Sequence, residues 1–301
     1  MWFRNLQIYR FTEAFETSAE ALNEALNNHA FAPCRGLDTH RIGWVPPLGK
    51  HSELLTHASN GKLMLCLRRE DRLLPASVVR EAVQEKVDEI SAQQNRKVGR
   101  KEKSDIKDEI IVDLLPRAFT RSTLTYAYID PANGWLIVDQ ASTNKAEDLL
   151  GLLRESLGSL KVKPLAVNQA PVEAMTDWVF NQAPGDLIIS DECELKEPVD
   201  KGGVIRMRRV DLGSQEVQQH ASSGRYVAKL AMEWQQRIGF VLSDDLTIKR
   251  LRFLDLVMDE AADIDTEDEA MRFDADFALM SMELGRFIPA LCNHLGGIDK
   301  Q

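Results

Sequence analysis

The sequence predicts an α+β protein, with a central α/β core, a helical hairpin inserted into that core, and a C-terminal half of different texture. Three observations predict it. Strand-like and helix-like segments alternate as far as about Leu160. Two Asn-Gly pairs, Asn60-Gly61 and Asn133-Gly134, each precede a strand, as hairpin turns do. Between them a long polar stretch carries helical spacing broken once, at Gly99.

The opening WFRNLQIYRF reads as a strand. Thr17-x-x-Glu20 has the form of a capping box, and Leu22 and Leu26 follow it at i, i+4, so a helix comes next. GWVPP, from Gly43 to Pro47, has to be extended or a turn, because proline continues neither a helix nor a central strand. KLMLCLRRE is a strand entered through Asn60-Gly61. TLTYAYID and WLIVDQAS flank Asn133-Gly134, and a helix runs from about Thr143 to Leu157 with Gly158 as its stop. This reading places two related strand–turn–strand–helix units in one core.

The inserted hairpin starts at Pro75 and Ser77. Val79, Val83, Val87 and Ile90 form one apolar stripe. Ser104 and Asp105 start the second helix, Ile106, Ile110, Ile111 and Leu114 share its face, and Pro116 ends it. In the C-terminal half GGVIRMRRV is a strand, and GRYVAKLAMEW follows a short helix. RIGFVLSDD and LTIKRLRFL pair across Asp244-Asp245. The last helix carries Phe273, Phe277, Met280, Leu284, Phe287, Leu291 and Leu295 at spacings of three and four, with a bend expected at Pro289. That stripe is longer than one core contact needs and leaves room for a partner chain.

The chain is acidic, with a formal net charge of −10, but the charge is segregated. Ten acids lie between Asp255 and Asp276 against the single base Arg272, so the rest of the chain is close to neutral. Opposite in sign is the hairpin turn. There Arg96, Lys97, Arg100, Lys101, Lys103 and Lys107 face only Glu102 and Asp105. With a turn at Gly99, these bases cluster at its end. Further bases recur at Arg117 and Arg121 around Phe119, at Arg206, Arg208 and Arg209 in one strand, and at Lys249, Arg250 and Arg252 in the final hairpin. Strand alternation puts Arg206 and Arg208 on one face and Arg209 on the other. Several basic clusters with the acids held elsewhere point to a phosphate-binding surface. No zinc-finger spacing or helix-turn-helix is evident, so backbone contact without base readout is expected.

Enzymatic motifs are missing. The sequence has no GxGxxG, Walker loop, GxSxG or HExxH, which argues against the common enzyme classes and leaves no expected catalytic residue, metal or cofactor. Cys34 and His40 form no local nucleophile–base signature. Asp263, Asp265 and Glu267 have the spacing that opens a calcium loop, but Asp268 stands where the loop needs glycine and Asp274 where it needs glutamate. A solvated acidic surface is the simpler reading. The four cysteines, Cys34, Cys66, Cys193 and Cys292, form no CxxC and read as reduced thiols of a cytosolic protein. No apolar run is long enough to span a membrane, and MWFRNLQIYRFTEAF lacks the apolar core of a signal peptide, so export is not expected.

Several segments, taken in order, resemble one bacterial family. MWFRNLQIYRF, GWVPPLG, LLPRAF, KAEDLLGLLRESLGSL, GGVIR, LAMEWQQRI and RFDADF are similar to the recombination-associated RdgC family over essentially the whole chain. The resemblance implies a cytoplasmic, nucleoid-associated protein that binds DNA, mainly double-stranded, without sequence specificity and antagonises RecA by occupying DNA. It further implies a ring-shaped homodimer around the duplex, its hole lined with positive charge. Each subunit would divide into a central region (1–74 and 116–175), a helical tip (75–115) and a base region with the C-terminal helix (176–301), meeting its copy tip-to-tip and base-to-base. The family's DNA-binding phenylalanine falls on Phe119, and its basic tip residues fall on Arg96, Lys97, Arg100 and Lys101. The basic pair after GGVIR is kept as Arg208 and Arg209, whereas Val210 departs from the polar residue expected next. Two other readings stay open: a metal-dependent nuclease using the 255–276 carboxylates, and an interaction module that meets RecA directly through its acidic face.

Overall fold

The structure is a computed structural model and describes residues 1–199, 202–215, 217, 219, 224–263, 266 and 268–299. Two antiparallel sheets carry it. The first contains β1 (Gln7–Phe11), β2 (His40–Val45), β3 (Thr56–Ser59), β4 (Lys62–Leu73), β5 (Phe119–Asp130), β6 (Trp135–Val138) and β7 (Val162–Pro164). Its order is β2-β4-β5-β6-β1-β7, with β3 also paired to β4. The second contains β8 (Leu187–Lys196), β9 (Val204–Arg208), β10 (Tyr226–Trp234), β11 (Ile238–Ser243) and β12 (Ile248–Phe253), in the order β12-β11-β10-β8-β9.

Helices fill three places. Leu22 and Leu26 of α1 (Ala19–Asn27) and Leu149, Leu150 and Leu153 of α4 (Thr143–Leu157) cover one face of the first sheet, over Leu63, Leu65, Leu67 and Ala127. Between the sheets lies the longest helix, α7 (Glu269–His294), together with α5 (Pro171–Phe180). Phe277 of α7 meets Tyr128 of the first sheet at 5.7 Å between ring centroids. Ten residues along the same helix, Phe287 meets Phe240 and Trp234 of the second sheet at 4.8 and 5.6 Å. The long apolar stripe is therefore consumed within the chain, because two sheets share it. The helix continues through Pro289. Short α6 (Asp255–Ala262) precedes it.

The third place is the insertion. Strands β4 and β5 pair from Leu63↔Ile129 out to Leu73↔Phe119. Their inner halves are buried on both faces, as Leu63–Leu67 and Ala127–Asp130. Their outer halves, beginning at Arg68 and ending at Thr123, turn polar, and Arg69 there donates to Asp148 of α4 at 3.1 Å. At the end of this ribbon α2 (Ala76–Gln94) and α3 (Arg100–Leu114) form the expected hairpin, with its own small core of Val79, Val83 and Ile106.

Several elements differ from the expectation. The cap of α1 is Ser18, whose hydroxyl accepts from the Ala21 amide, so the capping residue is one place later than Thr17. Helix α3 begins at Arg100 behind Gly99, not at Ser104. The two Asn-Gly units are unequal: α4 packs on the sheet, whereas α2 packs on α3. Only Asn60-Gly61 is a two-residue turn with both residues at positive φ (48° and 73°), whereas Asn133 is anchored to Asp130 in a longer turn. The expected short helix before GRYVAKLAMEW lies partly outside the described residues. Gly43 has a packing reason: a Cβ there would sit 2.4 Å from the Phe31 Cα, where residues 30–31 pair alongside Trp44.

One buried charge holds the inter-sheet layer to the second sheet. Glu283 of α7 is fully buried, and Arg237, in the β10–β11 turn, donates to it at 2.8 and 3.0 Å. Arg237 also reaches Glu260 of α6 at 2.9 Å. Removing Arg237 leaves the buried Glu283, among the described residues, only the longer contact to Arg286, at 3.4 Å. Arg237→Met should therefore cost about 3–5 kcal/mol. Adding Glu283→Leu should recover much of that loss, and urea unfolding of the three proteins measures both steps.

Candidate nucleic-acid interface

The second sheet packs one face on the helical layer, and of its strands only β11 is buried throughout. Leu230, Met232 and Trp234 of β10, Phe240 and Leu242 of β11, and Cys193 and Leu195 of β8 turn towards α7 and α5. Period-two alternation then sends Glu192, Glu194, Arg206, Arg208 and Lys229 to the other side. Strand β12 breaks the alternation. Ile248 and Leu251 are both buried although three residues apart, and the register against β11 slips by one. The extra residue is Arg250, at φ 51°. This bulge is what allows Lys249, Arg250 and Arg252 all to line the outer face.

The predicted bases of the C-terminal half are thus brought together. Arg206, Arg208, Lys249 and Arg250 line one recess of about 320 Å³, and Arg209 and Arg252 line the adjoining one. Arg209 lies past the end of β9 at φ 56°, so strand alternation does not apply to it and it does not point to the opposite face. Val210 is also exposed beside it. Sequence reasoning missed Lys229, although its alternation with the buried Leu230, Met232 and Trp234 marks it as outward. It also missed the three acids on β8 that line these recesses, Asp191, Glu192 and Glu194. Glu192 pairs with Arg208 at 3.3 Å and Arg250 at 2.8 Å. Glu194 pairs with Arg206 at 2.8 Å and Lys229 at 3.0 Å. Burial alone would raise the Glu194 carboxyl, but the hydrogen bonds and charges of Arg206 and Lys229 hold it below its ordinary value.

At the tip, α2 ends at Asn95 in the left-handed conformation and α3 restarts after Gly99. Lys97, Arg100 and Lys101 are exposed there without an ion pair among the described residues. Arg96 is partly neutralised, donating to Glu102 at 2.6 and 2.7 Å. Arg100, Lys101 and Lys103 occupy the first turn of α3, where the helix dipole favours acids. A sequence shaped for helix stability alone would not place them there. Lys103 and Lys107 sit back along the flank, against α2, rather than at the very end: Lys103 donates to Gln84 at 3.2 Å, and both line the groove beside Val79 and Val83.

Phe119 stands at the base of the tip with 85 % of its surface exposed, opposite Leu73 in the β4–β5 register. Core packing under the hairpin is excluded for it. Arg117 and Arg121 on either side are exposed as well. No ion pair, hydrogen bond or shared recess among the described residues joins the tip cluster to the face of the second sheet.

The acidic segment is occupied with structural contacts. Asp268 caps α7 by accepting from the Ala270 and Met271 amides. Glu269 pairs with His51 at 2.6 Å and Asp274 with His57 at 2.9 Å, tying α7 to the segment around β3. Asp276 holds the terminal ammonium of Met1. Among the described residues no three His, Cys, Asp or Glu side chains are grouped to hold a metal ion. Asp265 and Glu267 of the calcium-loop pattern, and His220, lie outside the described residues. Cys34 and His40 form no pair: Cys34 is held at Glu70, and His40 lies beside Thr39. No helix among the described residues is long and apolar enough to cross a membrane.

The fold and site define a mixed α+β protein that presents basic surfaces on an inserted hairpin and on the open face of a second sheet. A family model described as "Putative exonuclease, RdgC" matches residues 1–298. The chain is 45 % identical over 298 residues to the recombination-associated protein RdgC of Tolumonas auensis, covering 99 % of both chains. It is 46 % identical to the RdgC protein of Aeromonas hydrophila over 301 residues, covering 100 % of this chain and 99 % of that one. Against the Salmonella typhimurium RdgC protein it is 47 % identical over 300 residues, covering 99 % of this chain and 98 % of that one. The chain belongs to the RdgC family.

Two outcomes follow from this geometry. Phe119→Ala should change stability by less than about 0.5 kcal/mol, because the ring is exposed and leaves no cavity, which denaturant unfolding will measure. Glu194 titrates lower folded than unfolded, so it adds stability above the ordinary carboxylate range and loses it as pH falls through the depressed value. Unfolding followed down an acid series should therefore show a gentler decline for Glu194→Gln than for the wild type.

Proposed function

We propose that the chain is a recombination-associated, non-enzymatic protein that binds duplex DNA without sequence specificity. The observation that carries this reading is the open face of the second sheet, where six predicted bases and Lys229 share two adjoining recesses. Among the described residues the recesses are lined by strands and turns, with no helix placed to enter a groove. The chemistry suits phosphates rather than base edges. In this reading the protein acts as a ring-shaped homodimer around the duplex and restrains RecA-promoted strand exchange by occupying DNA. It works in the cytoplasm, on the nucleoid. Central, tip and base regions, at 1–74 with 116–175, 75–115 and 176–301, are the units of that ring. The exposed pair Phe119 and Leu73 at the foot of the hairpin supports a role for the tip in contact with DNA or with a second copy. A ring resolves how an acidic chain holds a polyanion: bases turn inward, acids outward, and two-fold symmetry doubles every basic cluster.

The "exonuclease" in the family description belongs to a different class of activity, and the acidic segment supports it poorly. Its described carboxylates at 268, 269, 274 and 276 cap a helix, contact a histidine ring or hold the Met1 ammonium. Incubating labelled duplex with the protein and magnesium separates the two readings: intact DNA fits the binding reading, and shortening of the strands sinks it.

Binding should be governed by counterion release, with log K falling against log salt by about 0.9 per phosphate neutralised. A salt titration on two unrelated duplexes of equal length should give the same steep line for both, and a shallow slope or a large difference between them would count against the reading. Replacing Arg96, Lys97, Arg100 and Lys101 with alanine should weaken binding to both duplexes by the same factor. Phe119→Ala should impair DNA binding or self-association, seen by sedimentation, while the subunit stays folded.

A further inference from the structure

We propose that Glu192 and Glu194 are acidic latches on the DNA-binding face, each lying between two cations that together seat one backbone phosphate. The proposal rests on the DNA-binding reading above and adds the residues that set affinity and release at that site. Glu192 lies between Arg208 and Arg250, at 3.3 and 2.8 Å. Glu194 lies between Arg206 and Lys229, at 2.8 and 3.0 Å. The same arrangement thus occurs twice, two residues apart on β8.

Two residues along a strand span about 6.6 Å, close to the interval between successive phosphates of one nucleic-acid strand. The depths of the groups matter as much as the spacing. The Glu194 and Glu192 side chains are 9 % and 25 % exposed, whereas those of Arg206, Arg208 and Arg250 are 68 %, 69 % and 54 % exposed. The acids lie beneath and the three arginines above, with Lys229 between them in depth at 33 % exposed. Arg206 and Arg208 use Nε towards the acids. A guanidinium carries five donors, so each keeps donors beyond the one spent on its acid.

Three further cations, Arg209, Lys249 and Arg252, line the same recesses without an ion pair among the described residues, against one further acid, Asp191. Acids serving only to neutralise the face would leave no such excess. The seats therefore stay net positive, while each retained carboxylate repels the incoming phosphate at short range. The ligand is a pair of consecutive phosphodiesters on one strand, and the latch keeps its binding reversible so that the protein can leave DNA.

Glutamine keeps the acceptor oxygen that orients the cations and removes only the charge. Duplex binding by the full chain, measured across a salt series for E192Q, E194Q and the double variant, tests the latch. The double variant should bind several-fold more tightly than wild type, with a slope steeper by up to about 0.9 for each phosphate newly neutralised. Glu13→Gln removes the same charge from an exposed pair with Lys161 and should leave binding unchanged. If the double variant gains nothing, or Glu13→Gln gains as much, the latch is overturned and the DNA-binding reading stands. A wild type without salt-steep duplex binding overturns both. Should the double variant prove misfolded by circular dichroism, E192Q alone carries the same test with about half the expected change in slope.

Discussion

The burial of α7 between two sheets is the constraint on which the rest of the structure depends. One stripe, from Phe277 to Leu295, fills the space between them, and Phe277 and Phe287 each reach a different sheet. Removing either sheet would leave half of that stripe in water, so the two sheets are stabilised together. This layer also determines which surfaces are free. With α1 and α4 on the far side of the first sheet and α7 in the middle, the second sheet has one face left over. The bases gather on that face.

Charge follows the same layering. Acids of the 255–276 segment lie along α6 and the start of α7, and three of them hold neighbours: Glu260 on Arg237, Glu269 on His51, Asp274 on His57. Their role is structural, and they lie on elements distinct from those carrying the bases. On the open sheet the relation is reversed, since two acids lie under a surplus of cations. At the tip the bases sit against the helix dipole, with Glu102 as the acid of that first turn. Both basic surfaces accept a local electrostatic penalty that a bound polyanion would relieve.

Local chemistry was read most readily where a residue type has one strong preference. Asn60-Gly61 takes the positive φ values that a two-residue hairpin demands. Val79, Val83 and Ile106 predicted the hairpin because helical spacing is visible in a polar background. Harder to read was the β10–β11 turn, which places Gln235 and Gln236 at positive φ, since glutamine has no turn preference to announce it. The β12 bulge was also hidden. TIKRLRF alternates imperfectly, and only the burial of both Ile248 and Leu251 shows where the extra residue falls. Helix starts shifted by one to four residues because Ser, Thr, Asp and Gly compete for the capping position.

By itself the sequence determined the class of elements, the inserted hairpin, the segregation of charge and nearly every basic residue of the candidate site. These are legible because periodicity and side-chain charge are properties of the local chain. Tertiary structure decided what those residues meet. It buried the α7 stripe that the sequence left available to a partner, exposed Phe119, and neutralised Arg96 with Glu102. It also set Glu192 between Arg208 and Arg250, residues 16 and 58 places further along, one on the adjacent strand β9 and the other on β12 at the far edge of the sheet. Pairings of that kind depend on strand order and register, and no local pattern encodes which strands become neighbours.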